Sequence, residues 1–240
     1  MKQAKELDRL LFFATPPHEC SYLPGREATT VFADPGYPKD AWLYTVLSEN
    51  GFRRSGQHIY RPRCQSCAAC IPVRVAANEF KPRRRQRRTS KKNRDLTVVR
   101  RVDEFREDHF TLYQRYLTTR HPGGGMDDPS PRQYMDFLTS PWSETMFVEF
   151  RKDEELLALA VADRLVDGLS AVYTFFDPDS SWRSLGALAI LWQISEVKRL
   201  GLSWLYLGYW IDGSPKMAYK SEYHPIEQYR GGRWVRPEPN

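Results

Sequence analysis

The chain has 240 residues, 41% of them hydrophobic and 13% aromatic, which are the proportions of a globular protein and exclude a disordered one. No stretch approaches the roughly 18 consecutive apolar residues of a membrane-spanning helix, and acidic Glu6 and Asp8 interrupt the apolar N-terminus, so we predict a cytoplasmic protein without a secretory signal. The net charge of +6 is uneven, because residues 1–100 hold 20 Lys and Arg against 9 Asp and Glu, whereas residues 101–240 hold 16 against 21.

The basic front part of the chain is predicted to form short strands around one helix. A helix is expected over 38–50, because an apolar stripe follows a proline and a glycine can end it. The stretch 52–60 alternates in polarity around a Ser-Gly pair, which predicts a hairpin. Strands are expected at 71–77 and 96–102, on either side of a positively charged run.

The back part of the chain alternates between long helical patterns and strand-like runs. Apolar residues at helical spacing predict helices over 105–121, 129–141 and 183–201, and the glycines at 123–125 predict a flexible connection. Strand-like runs separated by turn signals predict the following strands: 145–151, 155–166, 168–177, 204–210 and a final pair within 222–235. We therefore predict an α+β protein with two domains, a Cys-containing basic domain over 1–100 and a second domain over 101–240.

The cysteines form a possible metal site. Cys64, Cys67 and Cys70 stand at three-residue intervals on one predicted loop, and thiolates are the ligands that zinc and iron–sulfur clusters prefer. The usual fourth ligand is not adjacent, so Cys20, His18 or His58 would have to supply it from a distance. Free cysteines are also common in apolar cores, so buried, metal-free thiols remain an alternative.

The positively charged run predicts contact with nucleic acid. Its members lack any acid among them before Asp95, and their mutual repulsion is offset when a phosphate backbone lies opposite. Arginine predominates, which suits bidentate phosphate contacts, and no aromatic residue interrupts the run, so shape and phosphate recognition of a folded RNA is favoured over base reading. The predicted contacts are Arg83, Arg84, Arg85, Arg87, Arg88, Lys91 and Lys92, with Lys81 and Arg94 at the margins and Arg53 and Arg54 as further candidates.

Two segments of the back part could form a reaction site. The loop Arg183–Leu188 loosely matches the pyrophosphate loop of coenzyme A-dependent acyltransferases, but Leu188 stands where a small residue should be. A polar and aromatic cluster follows the strand at 204–210, and sheet ends often open on a site. Its candidate residues are Tyr209, Trp210, Lys216, Tyr219, Lys220 and Glu222.

In sequence order, several motifs resemble the aminoacyl-tRNA–protein transferases. The first are CSYLPGR from Cys20, GFRRSGQHIYRPRC and CIPVRV, followed by the basic run. The others are FFDPDSSWRSLGALAILWQI and LYLGYWIDGSPKMAYKSEYHPIEQY. The match covers nearly the whole chain, and its opening is most similar to the bacterial, leucine-transferring branch. The eukaryotic arginine-transferring branch has Cys-x-x-Cys where this chain has Cys20 followed by Leu23, and this difference weakens any transfer of that branch's metal chemistry.

This resemblance implies a GNAT-like acyltransferase domain with a mixed, mostly antiparallel sheet behind the N-terminal domain. It implies transfer of leucine from leucyl-tRNA to a protein with an N-terminal Asp or Glu, which would mark that protein for proteolysis. The expected partners are therefore aminoacyl-tRNA and the acceptor protein, with no membrane and no cofactor required for the chemistry. Zinc or an iron–sulfur cluster at the four cysteines remains possible.

The implied reaction assigns a role to each candidate residue. The acceptor amine attacks an ester that is already activated, so positioning and oxyanion stabilisation can supply most of the acceleration. Glu222 or Asp177 is expected to receive the proton that the amine loses. The acidic acceptor needs cations near the transfer point, and the expected substrate-binding residues are Arg183, Tyr209, Trp210, Lys216, Tyr219 and Lys220.

Three alternatives remain open. Arginine could be the transferred amino acid, because the sequence does not identify the residues that bind the amino acid of the aminoacyl-tRNA. A coenzyme A-dependent N-acyltransferase would leave the basic run unexplained. An RNA-binding zinc module would explain the cysteines and arginines but not the back part of the chain.

Overall fold

The computed structural model describes residues 9–120, 128–215 and 217–238. Its N-terminal part contains a small antiparallel sheet and a two-stranded ladder. The strands are β1 (Phe12–Ala14), β2 (His18–Glu19), β3 (Glu27–Ala28), β4 (Thr30–Ala33), β5 (Arg53–Ser55) and β6 (His58–Pro62). The sheet has the order β1-β4-β6-β5, and β2 pairs with β3. The predicted hairpin is confirmed as β5 and β6, and the predicted helix as α1 (Ala41–Glu49), which begins after the capping carboxylate of Asp40.

The remaining strands form one large sheet. They are β7 (Ile71–Ala76), β8 (Thr97–Arg101), β9 (Thr145–Lys152), β10 (Glu155–Arg164), β11 (Gly168–Phe176), β12 (Trp204–Trp210), β13 (Ile226–Arg230) and β14 (Arg233–Val235). The order is β14-β13-β7-β12-β11-β10-β9-β8, and the pairs are antiparallel except for β11 with β12. The α+β class with a mixed, mostly antiparallel sheet is thus confirmed.

Strand β7 comes from the front part of the chain yet lies between β12 and β13 of the large sheet. All six of its residues are buried, as expected of an apolar run covered on both faces. Strand β8 also joins this sheet, at its other edge. The large sheet is therefore shared by both parts of the chain and does not divide at residue 100.

Helices cover both faces of the large sheet. Along β10, Ala158 and Ala160 pack in a cluster with α5 (Leu185–Arg199), whereas Leu159 and Val161 pack in a cluster with α3 (Glu107–Arg120) and α4 (Pro131–Leu138). This alternation follows from the two-residue period of a strand. The predicted helices over 105–121, 129–141 and 183–201 are confirmed with slightly shorter bounds, whereas the predicted glycine connection at 123–125 lies outside the described residues.

The parallel strands β11 and β12 pair only over their first residues. Gly168, Leu169 and Ser170 face Trp204, Leu205 and Tyr206 in register. Gly168 permits the close approach, because a Cβ atom there would lie 2.3 Å from the Trp204 oxygen. Beyond this point β11 stays with β10 and β12 stays with β7, so a gap opens between their carboxyl ends.

The positively charged run forms helix α2 (Arg84–Lys92). Gln86, Thr89 and Asn93 are buried on one face of it at helical spacing, whereas the charged residues are exposed. Within residues 9–120, 128–215 and 217–238, no helix has the length and apolar character needed to cross a bilayer.

Candidate functional site

Arg53 fills the gap between β11 and β12. Its Nη2 atom donates a hydrogen bond to the Val172 oxygen at 2.9 Å, and its guanidinium lies against Gly208, where a Cβ atom would come within 2.5 Å of Nη1. In the described part of the chain no carboxylate oxygen lies within 4.0 Å of the Arg53 nitrogens. Tyrosines surround it instead, among them Tyr22, Tyr60 and Tyr209. The half-buried charge of Arg53 therefore has no neutralising acid among the described residues.

Lys220 adds a second cation of the same kind. It is 4% exposed and belongs to the 3-10 turn Ala218–Glu222 after β12, and its Nζ donates to the Tyr209 oxygen at 2.5 Å. Burial, together with the nearby charge of Arg53, lowers the pKa of Lys220 to about 7. No described carboxylate lies within ion-pair distance of Nζ. Two adjacent cations without an acid make this gap a candidate anion-binding site.

Aromatic residues line the neighbourhood of these cations with different degrees of exposure. Tyr209 is 2% exposed, and its hydroxyl donates to the Gly51 and Tyr60 oxygens, so it acts as a structural anchor. Trp210 is half-buried against a core cluster. Tyr219 is exposed, with its ring centroid 5.9 Å from Lys220 Nζ, and can meet a substrate. The predicted contact Lys216 lies outside the described residues.

Helix α2 presents its cations to solvent close to this gap. Arg83, Arg84, Arg87, Arg88, Lys91 and Lys92 are exposed and have no described acid within 4.0 Å, whereas Arg85 lies 3.4 Å from Glu222. Side-chain contacts at both ends help to fix the helix: Gln86 donates to the main-chain oxygen of Glu222 at 3.2 Å, and Asn93 donates to the main-chain oxygen of Arg183 at 2.9 Å. The helix thus joins the turns that follow the two diverging strands, and its charged face suits a phosphate backbone.

Arg54 has a different environment from its neighbour Arg53, and its predicted contact with tRNA is wrong. It is 1% exposed and pairs with buried Asp163, at 2.6 Å between Nε and Oδ2. Arg54 also donates to the main-chain oxygen of Leu138 at 2.8 Å, and Tyr44 donates to the carboxylate of Asp163. A guanidinium enclosed in this way holds the small sheet and the large sheet together and cannot reach a phosphate.

Arg183 and Asp177 are held by partners around the 3-10 segment Pro178–Arg183. Arg183 is 4% exposed and forms two hydrogen bonds with Asp95, at 2.8 and 2.9 Å. The Asp177 carboxylate caps the segment and accepts from Arg115 at 2.9 Å and Ser180 at 2.7 Å. These contacts give both residues a structural role. Their predicted roles in binding and catalysis stay predictions.

Glu222 lies beside the cationic gap. Its side chain is 46% exposed, and Arg85 is its ion-pair partner at 3.4 Å. It follows Lys220 by two residues in the same short turn. Its carboxylate is therefore accessible from solvent, and its role as proton acceptor stays a prediction.

The four cysteines converge near the gap. Cys64, Cys67 and Cys70 lie between β6 and β7, Cys20 follows β2, and all four are half-buried free thiols. Burial, followed by the nearby thiols, raises the pKa of Cys70 to about 11. Among the described side chains, no three of these sulfur atoms lie within 4.8 Å of one another, whereas a tetrahedral zinc–thiolate site needs about 3.8 Å. The donor set fits a soft metal or a cluster, but the spacing is not that of a closed zinc site.

A second cluster of possible ligands was missed in the sequence. Asp108, His109 and Glu149 bring their ligand atoms within 4.8 Å. Although burial disfavours its charged form, hydrogen bonds from Arg151 and His109 lower the pKa of Glu149 to about 2. Arg151 contacts both carboxylates, and Arg106 lies 3.3 Å from Asp108. Arginines already balance these acids, so the cluster is a partly buried ion-pair network.

Comparison with known proteins gives a consistent result along the chain. Residues 18–88 match the family model described as "Arginine-tRNA-protein transferase, N terminus", and residues 108–230 match the one described as "Arginine-tRNA-protein transferase, C terminus". A protein of Pseudomonas fluorescens named aspartate/glutamate leucyltransferase is 55% identical over 96% of this chain and 98% of its own length. A protein of Nitrosococcus oceani with the same name is 53% identical over 93% of this chain and 94% of its own.

Likeness among solved structures is much weaker. A tandem GNAT protein from the clavulanic acid biosynthesis pathway has a TM-score of 0.44 and 11% sequence identity. The match covers 100% of this chain and 68% of that one. A likeness at this distance says nothing about substrates.

Proposed function

The chain is an aminoacyltransferase that belongs to the arginine-tRNA-protein transferase family, and on that premise we propose that it moves leucine from leucyl-tRNA to the N-terminal Asp or Glu of an acceptor protein. The relatives named for this reaction match almost from end to end, which supports leucine rather than arginine as the transferred group. The product carries an N-terminal leucine, which we propose marks it for proteolysis.

The observation that carries the acceptor assignment is the pair of cations formed by half-buried Arg53 and buried Lys220. Neither has a carboxylate partner in the described residues, and the charge of one lowers the pKa of the other. A buried charge without a partner is costly. The side-chain carboxylate of an N-terminal Asp or Glu supplies the missing negative charge. Binding of an acidic acceptor therefore offsets the free-energy cost of the unpaired cations, whereas binding of a neutral acceptor does not.

The donor assignment depends on helix α2. Five of its exposed cations, together with Arg83 at its N-cap, have no described acid within 4.0 Å, and the helix is fixed to the turns that follow β11 and β12. A tRNA bound along this face brings its amino acid ester toward the gap between those strands. A surface that binds polyanions thus lies next to a gap that binds a single anion. The first fits the phosphates of tRNA, and the second fits the acidic N-terminal residue of the acceptor protein.

The proposed reaction forms one bond and breaks one. The acceptor α-amine, whose pKa is ordinarily about 8, attacks the ester carbonyl carbon, and the new N–C bond forms as the C–O bond to the ribose breaks. The ribose oxygen leaves with a proton, and the amine loses one. Glu222 is the proposed proton acceptor, because its carboxylate is accessible and stands two residues from Lys220.

A transfer assay tests this function directly. The protein is incubated with labelled leucyl-tRNA, arginyl-tRNA or acetyl-coenzyme A, together with peptides that begin with Asp, Glu, Asn or Lys. We expect transfer from leucyl-tRNA to the Asp and Glu peptides, with the Asn peptide as the isosteric neutral control. Transfer from arginyl-tRNA or acetyl-coenzyme A instead, or equal transfer to Asp and Asn, would overturn the proposal.

A further inference from the structure

Trp182 is the most exposed aromatic side chain of the described residues, at 62%. It stands in the 3-10 segment Pro178–Arg183, which follows β11 and precedes α5. Neither the transfer chemistry nor the anion-binding gap uses it. Burial of an exposed indole by a partner is favourable, and the residues around Trp182 indicate which class of partner would fit.

The indole is held firmly from behind. The Arg183 guanidinium carbon lies 4.5 Å from the Trp182 ring centroid, and Arg183 is itself fixed by its two hydrogen bonds to Asp95. Lys92, the last residue of α2, donates to the Trp182 main-chain oxygen and, at 3.2 Å, to Ser184 Oγ. The ring is thus positioned before any partner binds, which lowers the entropy cost of binding.

The charge around Trp182 selects the class of partner. Lys91 and Lys92 belong to the last turn of α2, and Lys92 contacts the Trp182 main chain. The acids of this neighbourhood are already paired, Asp95 with Arg183 and both Asp177 and Asp179 with Arg115. Glu222 and the cationic gap lie at the other end of the helix, where Arg85 is bound. From Arg85 to Lys92 the helix rises by about 10 Å. A flat apolar ring among cations at the end of a basic helix fits an unpaired nucleotide.

We propose that Trp182 is a stacking platform for an unpaired base at the 3′ end of the tRNA. This proposal rests on the proposed function, because it supplies the step between phosphate binding along α2 and delivery of the ester to the gap. Base stacking on an aromatic residue tolerates any base and changes affinity by roughly 5- to 150-fold. Trp182 is therefore a positioning residue, which orients the ester through the RNA and does not touch the reacting atoms.

The test compares Trp182→Ala and Trp182→Phe with Val166→Ala. Val166 is a matched control, because it is 59% exposed and lies in the turn before β11, whereas Trp182 follows that strand. The Kd for deacylated tRNA is measured by fluorescence anisotropy, with whole tRNA and with tRNA whose unpaired 3′ nucleotides have been removed. The KM values for leucyl-tRNA and for an Asp peptide are measured in parallel.

We expect Trp182→Ala to raise the Kd for whole tRNA and the KM for leucyl-tRNA by about tenfold or more, and to leave the KM for the peptide unchanged. Trp182→Phe keeps an aromatic face and should recover most of the affinity. Truncated tRNA should bind the wild type and Trp182→Ala equally.

Three results would overturn the stacking role: unchanged tRNA affinity in Trp182→Ala, a change in peptide KM alone, or a weakened affinity that persists with truncated tRNA. Failure of the function is distinguishable, because the wild type would then not transfer leucine from leucyl-tRNA at all. The binding measurement does not depend on which amino acid the tRNA carries. Thermal unfolding of each variant separates weaker stacking from a damaged fold.

Discussion

The ammonium of Lys220 lies 2.5 Å from the main-chain oxygen of Tyr209, and within residues 9–120, 128–215 and 217–238 it has no carboxylate partner. A carbonyl dipole is a weak substitute for an anion, so the positive form of this lysine is disfavoured by burial and by Arg53. The protein therefore holds a group that is unfavourable for folding at the place where an acidic substrate is expected to bind. We therefore expect that removing the charge of Lys220 raises the stability of the protein and lowers its activity.

Replacing Lys220 by methionine should abolish transfer to acidic peptides while stabilising the protein at acidic pH. The folded-state pKa of about 7 lies below the ordinary value of 10.5, so the unfolded chain binds more protons between these pH values and wild-type stability rises with pH across them. The full shift corresponds to a cost on the order of 5 kcal/mol below pH 7. Urea unfolding at pH 6 and pH 9.5 should show the advantage of Lys220→Met shrinking at the higher pH. A difference independent of pH would contradict the assignment.

Arg53→Gln should impair recognition of the acceptor and leave tRNA recognition intact. The guanidinium lies in the gap between β11 and β12, on the opposite side of its strand from Arg54. Loss of a hydrogen bond to a charged group should raise the KM for Asp and Glu peptides by about 10- to 100-fold, with the KM for leucyl-tRNA unchanged. Arg233→Gln, at an exposed arginine of β14, is the control. If only the KM for leucyl-tRNA rose, Arg53 would be a tRNA contact and not part of the acceptor site.

Reversing the charges of Arg84, Arg87 and Arg88 to glutamate should weaken tRNA binding in a salt-dependent way. These side chains are exposed, and none has a described acid within 4.0 Å, whereas Arg85 is left in place because it pairs with Glu222. For every phosphate that the variant no longer binds, the slope of log K against log salt should fall by about 0.9. Arg132→Glu, whose side chain is 92% exposed on α4, is the control. An unchanged slope would mean that this face of α2 is only solvated.

Arg54→Met should destabilise the protein strongly and leave the KM for tRNA unchanged. The substitution removes the cationic partner of the buried Asp163 carboxylate, which would then keep only its hydrogen bonds from Tyr44 and Thr145. Removing one partner of a buried pair costs about 3–5 kcal/mol of unfolding free energy, which denaturant titration measures. The double variant Arg54→Met with Asp163→Leu should lose less stability than the two single variants combined. Additive losses would show that the two residues are not coupled.

The cysteines stay a predicted site for a soft metal or an iron–sulfur cluster. Protein purified without oxygen should contain the metal by elemental analysis, and Cys70→Ala should lose it, whereas Ser66→Ala on the same loop should keep it. Without a metal, burial keeps Cys70 protonated at neutral pH, because its pKa is about 11. Alkylation by iodoacetamide should therefore be slow at pH 7.5 and rise above pH 10. Metal-free protein with fast alkylation at pH 7.5 would contradict both statements.

Local pattern is sufficient for most of the secondary structure. The helical spacing over 105–121 and 183–201 recurs as Glu107–Arg120 and Leu185–Arg199, because side-chain periodicity is set by neighbours within a few turns. The apolar run at 71–77 predicts a strand, but it does not predict the place of that strand between β12 and β13. Those partners stand more than 120 residues further along the chain, and no local signal specifies such a pairing.

The two adjacent arginines of β5 show where local pattern stops. Amino-acid type alone makes Arg53 and Arg54 equal candidates for a phosphate contact. Successive side chains of a strand point to opposite faces, and here one face meets Asp163 in the core while the other meets the gap between β11 and β12. The basic surface of α2 could be predicted because charge is a property of composition. The separate fates of Arg53 and Arg54 depend on which strands diverge beside them, and long-range packing alone sets that.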